Sequence, residues 1–228
     1  MFIDSLDLFF KKIFQHKNEV VPAFILSNLY HQGKYLPYTN ASLSFKLLAN
    51  ITNDIIINNK KSILEFGSGI STIIFARLIK LNNLETKIIS IDESAEWILI
   101  VKKLLKDEGI ENVVTFIHAP TIKSSQMDKS FEYDENIVSK ELGDTKFDLI
   151  LIDGPIAWSS KKRYSRASNI KHFINNLDAS FTIFVDDTNR IGERYLVKQL
   201  KKKLNLKPNK LDATFMSFTE GMMFNYEI

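Results

Sequence analysis

The run from Ile63 to Thr72, ILEFGSGIST, joins a short stretch of buried-strand character to a glycine turn, and a helical pattern, STIIFARLIK, follows at once. Gly67 and Gly69 lack a Cβ, so the backbone can turn sharply there and approach a ligand closely. Ser71 and Thr72 offer hydroxyls where the helix begins. A strand, a glycine turn and a helix in this order open a βα unit, and a nucleotide-like ligand fits their junction.

Two details narrow the ligand. A dinucleotide turn has the form G-x-G-x-x-G, whose third glycine lets helix pack closely on strand, and here that position is Thr72. Glu65 stands two residues before the first glycine. A carboxylate on the ligand side of the turn repels a pyrophosphate and suits a cationic amino group. A second apolar run, KIISIDES, ends in Asp92 and Glu93, about 20 to 25 residues beyond the glycine pair, the spacing of a βαβ unit.

With these residues in view, the chain resembles the class I S-adenosylmethionine-dependent methyltransferases, whose first motif reads hydrophobic, Asp/Glu, x, Gly, x, Gly. The resemblance covers roughly residues 62–228. It implies a doubly wound α/β fold: a mostly parallel, seven-stranded, Rossmann-like sheet closed by a C-terminal antiparallel hairpin. It also implies an S-adenosylmethionine site built from Glu65, Gly67, Ser68, Gly69, Ser71, Thr72, Asp92, Glu93, Trp97, His118, Ala119 and Asp153. In that family Asp92 would hold the ribose hydroxyls, while His118 and Ala119 would lie near the adenine. On the residues alone, Trp97 and His118 read equally as parts of the core.

Hydropathy places the remaining elements. Strands are expected at Ser62 to Phe66, Lys87 to Ile91, Val113 to Ile117, Asp148 to Ile152 and Phe181 to Val185. Helices are expected at Ala95 to Asp107, Ala167 to Leu177 and Arg194 to Leu204. Continuous apolar strands joined by helices argue for a parallel sheet covered on both faces. The segments DATFMSF and GMMFNYEI, joined near Glu220 and Gly221, read as an antiparallel pair. Residues 1–60 form a helical extension or lid ahead of the domain at 61–228, with helices at Ile3 to Gln15, Val20 to His31 and from near Asn40 onward. The loop HQGKYLPYTN would present Tyr35 and Tyr38 as a lid or serve as a plain connection. Residues 120–145 are polar and long enough to be either functional or disordered.

Three carboxylates fall at the same edge of the expected sheet: Asp153 after FDLILI, and Asp186 and Asp187 after FTIFV. Ligands bind outside the carboxyl ends of such strands, and three acidic groups gathered there call for a cation. An all-oxygen set suits Mg²⁺. The arrangement resembles the catechol-type, metal-dependent O-methyltransferases, which implies that Asp153, Asp186 and Asp187 hold the metal and that Asp153 and Asp186 serve catalysis. The chain departs from that pattern at Asp187, where Asn is usual, and at Ile156, where the family has a lysine base. Lys161 is the substitute candidate, with Lys162 and His172 behind it. The same run, KKRYSR, also reads as a solvated helix start, and Arg163 and Arg166 as anchors for an anionic acceptor. For Asp186 and Asp187 the alternative is capping of the following helix.

Composition excludes several classes. There is no cysteine, so disulfides, zinc-thiolate sites and thiol nucleophiles are out. The net charge is +3 with 25% charged residues, which describes an ordinary globular chain rather than a polyelectrolyte binder. The sequence shows neither a secretory signal pattern nor an apolar run of the roughly 18 to 20 residues that span a bilayer, so a cytoplasmic location is expected. The apolar face of Phe2, Leu6, Phe9, Phe10, and Ile13 or Phe14 is expected to pack on the domain or on a second subunit, as in a homodimer. The expectation is an enzyme that methylates a small hydroxylated acceptor: a sugar, a phenol or a secondary metabolite. Rivals are a nucleic-acid methyltransferase using the basic run from Lys198 to Lys210, an aminopropyl transferase, and a non-catalytic binding module.

Overall fold

The computed structural model describes residues 19–31 and 33–228. The helix expected at Ile3 to Gln15, with its apolar face, lies outside the described residues.

Six strands form the main sheet: β1 (Ser62–Phe66), β2 (Lys87–Asp92), β3 (Val114–His118), β6 (Phe147–Ile152), β7 (Leu177–Val185) and β8 (Met216–Glu220). Their order is β3-β2-β1-β6-β7-β8. All neighbours are parallel except β7 and β8. The chain winds outward from β1 through β2 and β3, then returns to β1 and winds the other way through β6 and β7. The reversal falls between β1 and β6, and there the connections diverge and leave a crevice at the carboxyl ends of the strands.

Side chains alternate across this sheet as a twofold pleat requires. Ile63, Leu149, Leu151 and Phe184 enter the core on one face, with α2 (Phe45–Ile57), α3 (Ile70–Leu81) and α4 (Ala95–Asp107). Leu64, Phe66, Ile150, Ile152, Ile183 and Val185 enter the other core, with α5 (Glu135–Leu142), α6 (Ile170–Phe173) and α7 (Ile191–Leu204). Because both faces are covered, β6 is apolar at every position but Asp148, and β1 at all but Ser62 and Glu65. The doubly wound α/β architecture is the one the sequence predicts.

The sheet edge differs in detail from expectation. β8 pairs antiparallel with β7, so the C-terminal antiparallel pair is made within the sheet. Residues 221–228 form no strand, and a single bridge from Asn209 to Ser217 stands where a seventh strand would lie. The helix expected at Ala167 to Leu177 is shorter: a 3-10 turn at Ser165–Asn169 leads into α6, and Leu177 already belongs to β7. Asn176 explains the break, since its side-chain amide donates to the carbonyls of Gly143 and Thr145 and its own carbonyl accepts from the Phe147 N–H. α7 begins at Ile191, earlier than Arg194. The long segment at 120–145 is ordered: β4 (Thr121–Lys123) and β5 (Phe131–Tyr133) form an antiparallel ribbon, and α5 follows, capped by Asp134.

On the N-terminal side, the helix at 19–31 (α1) buries Leu26 and Leu29 in the same core as α3. Arg77 of α3 ties it down, donating to the carbonyls of Leu29, Tyr30 and Lys34 and pairing with Glu108 at 2.6 Å. The third helix starts at Phe45, where Ser44 accepts from the Leu47 N–H, and Asn40 to Ser42 form a turn before it. In that loop Tyr35 is exposed, and Tyr38 stacks on Phe45.

Candidate functional site

A cleft of about 480 Å³ opens at the carboxyl ends of β1 and β6. That volume suits a small-molecule ligand. Its walls come from the glycine turn (Gly67, Ser68), the end of β2 (Asp92, Glu93), Trp97 of α4, Tyr133 of β5, the loop from Asp153 to Trp158, and Arg166, Asp186, Asp187 and Arg190. Asn40, Ala41 and Ser42 close one side.

The turn itself is set by contact between strands. Gly67 has φ +94°, and its N–H donates to the Ile91 carbonyl of β2 at 2.8 Å. Gly154, just past β6, lies so near that a Cβ on Gly67 would stand 2.8 Å from the Gly154 nitrogen. The side chain of Glu65 turns away from the cleft. It is fully buried and accepts from the hydroxyls of Ser71, Thr72 and Ser90 at 2.5, 2.5 and 2.7 Å. Burial raises its pKa to about 7 against the pull of these donors. Thr72 also accepts from the Gly69 N–H at 2.9 Å, so the residue standing where a dinucleotide turn has its third glycine links the turn to Glu65. Glu65, expected to face a ligand ammonium, does not line the cleft, and its three hydrogen bonds join the turn, the start of α3 and β2. Ser71 and Thr72 serve the same internal network, and neither lines the cleft.

Asp92 is also largely committed, accepting from the N–H and hydroxyl of Ser68 at 2.9 and 3.0 Å and from the Ser94 N–H at 2.8 Å. Its neighbour Glu93 is different. The Glu93 Oε2 atom is buried and has no hydrogen-bond partner among the described residues, and burial raises the carboxyl's pKa. Trp97 lines the cleft and donates its indole N–H to the Ser68 carbonyl at 2.7 Å. His118 is exposed and Ala119 is fully buried, and neither reaches the cleft wall. The space beside Gly69 is open, since a Cβ there would meet no atom within 4 Å.

The opposite end of the cleft gathers Asp153, Asp186 and Asp187, each offering an oxygen within 4.8 Å of the others. Arg166, absent from the expected metal set, stands among them. Its guanidinium donates to Asp153 and Asp187 at 2.9 Å each, and its Nε lies 3.7 Å from buried Glu193. Arg190 adds a second cation on Asp187 at 2.9 Å. Asp186 has no such partner among the described residues, and burial together with its two acidic neighbours pushes its pKa up to about 8. The capping alternative for the aspartates is not realised: α7 starts from Arg190 without a side-chain cap, and Asp187 sits in a left-handed turn at φ +57°.

Residues 64–188, over half of the chain, match the family model of a methyltransferase domain. The chain belongs to that family. Among solved structures it shares the fold of the O-methyltransferase of Bacillus cereus in complex with SAH, with TM-score 0.59, 12% identity, and coverage of 90% of this chain and 91% of that one. A Staphylococcus aureus protein provisionally assigned as a caffeoyl-CoA O-methyltransferase gives TM-score 0.58 and 17% identity, covering 93% and 98%. TomG of Streptomyces achromogenes, an O-methyltransferase of tomaymycin synthesis in complex with SAM, gives 0.55 and 13%, covering 88% and 90%. A search of curated proteins finds no match.

In this methyltransferase the candidate bases fare unequally. Lys161 is exposed and off the cleft wall. Lys162 lies over the Phe131 ring at 5.0 Å. His172 is buried beside Phe66, neither of its nitrogens has a partner, and burial lowers its pKa to about 4. Only Asp153 and Asp186 of the three expected catalytic residues reach the cleft. Tyr133, Trp158 and Arg190 went unnoticed in the sequence. An exposed Trp158 five residues past Asp153 was the one available signal, since aromatic side chains left on such loops commonly serve binding. Among the described residues no helix is long and apolar enough to cross a membrane.

Proposed function

We propose that this methyltransferase moves the methyl group of S-adenosylmethionine to a hydroxyl oxygen of a small acceptor. The observation that carries the reading is that one cleft joins a polar cradle, Gly67 to Glu93, to Asp186, which no arginine among the described residues engages. The cradle fits the donor. Glu93 Oε2 needs a hydrogen-bond donor such as a ribose hydroxyl, Trp97 offers a flat apolar face, and the space beside Gly69 is free.

When bound, S-adenosylmethionine supplies an electrophilic methyl group on a sulfonium. The protein's part is to align the acceptor and remove its proton. Asp186 is the group we assign to the proton, because Asp153 and Asp187 are engaged by arginines. As the oxygen–carbon bond forms and the sulfur–carbon bond breaks, that proton passes to the Asp186 carboxylate and a neutral thioether leaves. Exposed Ile156 and Trp158 at the cleft wall favour an acceptor with an apolar or aromatic body, such as a phenol, over a bare sugar. The magnesium ion of catechol-type enzymes finds its three carboxylates here, but Arg166 already bridges two of them, so the set does not fit it. The lysines of α7, Lys198 and Lys201 to Lys203, are exposed and off the cleft wall, so they take no part in the acceptor site.

Calorimetric titration with S-adenosylmethionine and S-adenosylhomocysteine, with NAD as control, tests the donor. Micromolar binding of the sulfur compounds alone is expected, and no binding would overturn the reading. Release of S-adenosylhomocysteine on adding phenolic acceptors then tests the oxygen.

A further inference from the structure

We propose that Arg166 takes the place of a divalent cation in this cleft, so that the acidic end of the site is organised by a resident guanidinium and needs no metal. The inference rests on the methyltransferase reading only for its chemical meaning. Its geometry stands apart.

Arg166 is held from both sides. It projects from the 3-10 turn Ser165–Asn169, which is pinned where the Phe131 N–H donates to Ser165 Oγ at 2.8 Å and where Asn169 donates to the Gly154 carbonyl at 2.7 Å. In front, its two terminal nitrogens meet Asp153 and Asp187, the first and last of the three carboxylates that a metal would share. Behind, its Nε faces Glu193, which is 1% exposed and whose Oε1 has no hydrogen-bond partner. A planar fork with fixed donors suits such a bridging role between two carboxylates, where a spherical ion would need the same oxygens.

Glu193 is what makes the substitution durable. If Arg166 swung aside to admit a divalent ion, the buried Glu193 would lose the one cation paired with it among the described residues, and an uncompensated buried charge is costly. If Arg166 stayed, the ion would have to bind against a guanidinium already donating to two of its ligands. Arg190 on Asp187 adds to the same repulsion. Three acidic groups, Asp153, Asp187 and Glu193, are thus paired with two arginines built into the chain, and Asp186 stands beside them.

The test is Mn²⁺ binding by the full chain, read from the electron paramagnetic resonance of free Mn²⁺. Wild-type protein is expected to leave the free signal intact at about 1 mM metal, a concentration that fills even weak oxygen sites. Stoichiometric binding that disappears in Asp186→Asn would overturn the proposal. The double variant Arg166→Met/Glu193→Gln removes the guanidinium without stranding a buried charge. Once circular dichroism shows it folded, it is expected to gain a Mn²⁺ site at least about tenfold tighter than any in the wild type. A folded double variant that gains none would equally overturn it. If the double variant does not fold, the wild-type and Asp186→Asn measurements still decide. Failure to bind S-adenosylmethionine would sink the proposed function and leave this result untouched.

Discussion

Gly154 stands against Gly67 so closely that a Cβ on Gly154 would lie 2.7 Å from the Gly67 nitrogen, with the Tyr133 hydroxyl also at 2.7 Å. The carboxyl ends of β1 and β6 touch through bare backbone, and this contact sets the floor of the cleft. Gly154→Ala is therefore expected to destabilise the fold by about 1–3 kcal/mol, as overpacking does. Urea unfolding measures the loss, and an unchanged midpoint would show that the strands separate freely.

Glu65 and Thr72 carry a prediction about pH. The Glu65 pKa is raised to about 7 by burial, so its contribution to stability is complete below its ordinary value of 4.5 and is lost as pH rises through about 7. Wild type should lose more of its urea midpoint between about pH 5 and about pH 8 than Glu65→Gln does. The lowered pKa of His172 acts in the opposite sense, weakening the fold as pH falls from 6.5 through about 4, but it is common to both proteins and cancels in the comparison. Parallel profiles would mean that Glu65 is ionised throughout.

Glu93 and Asp92 should separate in a cofactor titration. Glu93→Ala removes the unpartnered oxygen and is expected to weaken S-adenosylmethionine binding about tenfold, the worth of one charged hydrogen bond, with little change in stability. Asp92→Ala releases Ser68 and Ser94 and should cost both affinity and thermal stability. Equal affinity in Glu93→Ala and wild type would move the ribose contact elsewhere.

Arg77 is the clamp between α1 and the sheet. It is buried against partly exposed Glu108 and also donates to three carbonyls, so Arg77→Met is expected to cost about 1–3 kcal/mol, the penalty for leaving buried polar groups unpaired. Differential scanning calorimetry would register the fall, and a loss within error would show that the N-terminal helix does not depend on this anchor.

The sequence alone determined the five parallel strands and the glycine turn. Strand identity follows from local hydropathy, and the boundaries of β1 and α4 were readable to the residue because a glycine turn and the cap Ser94 stand next to them. The carboxylates at the ends of β6 and β7 were equally legible, since strand direction places them at one edge whatever the loops do. What those carboxylates meet was decided only by the tertiary structure. Arg166 lies 13 residues from Asp153 and 21 from Asp187, in a turn whose position depends on β5 and Gly154. Glu65 was legible as a motif residue, but only the folding of α3 and β2 onto β1 shows the three hydroxyls that donate to its oxygens. Local pattern fixes which way a strand runs. Charge compensation depends on which distant side chain the packing delivers to within about 3 Å, and no spacing in the chain encodes that.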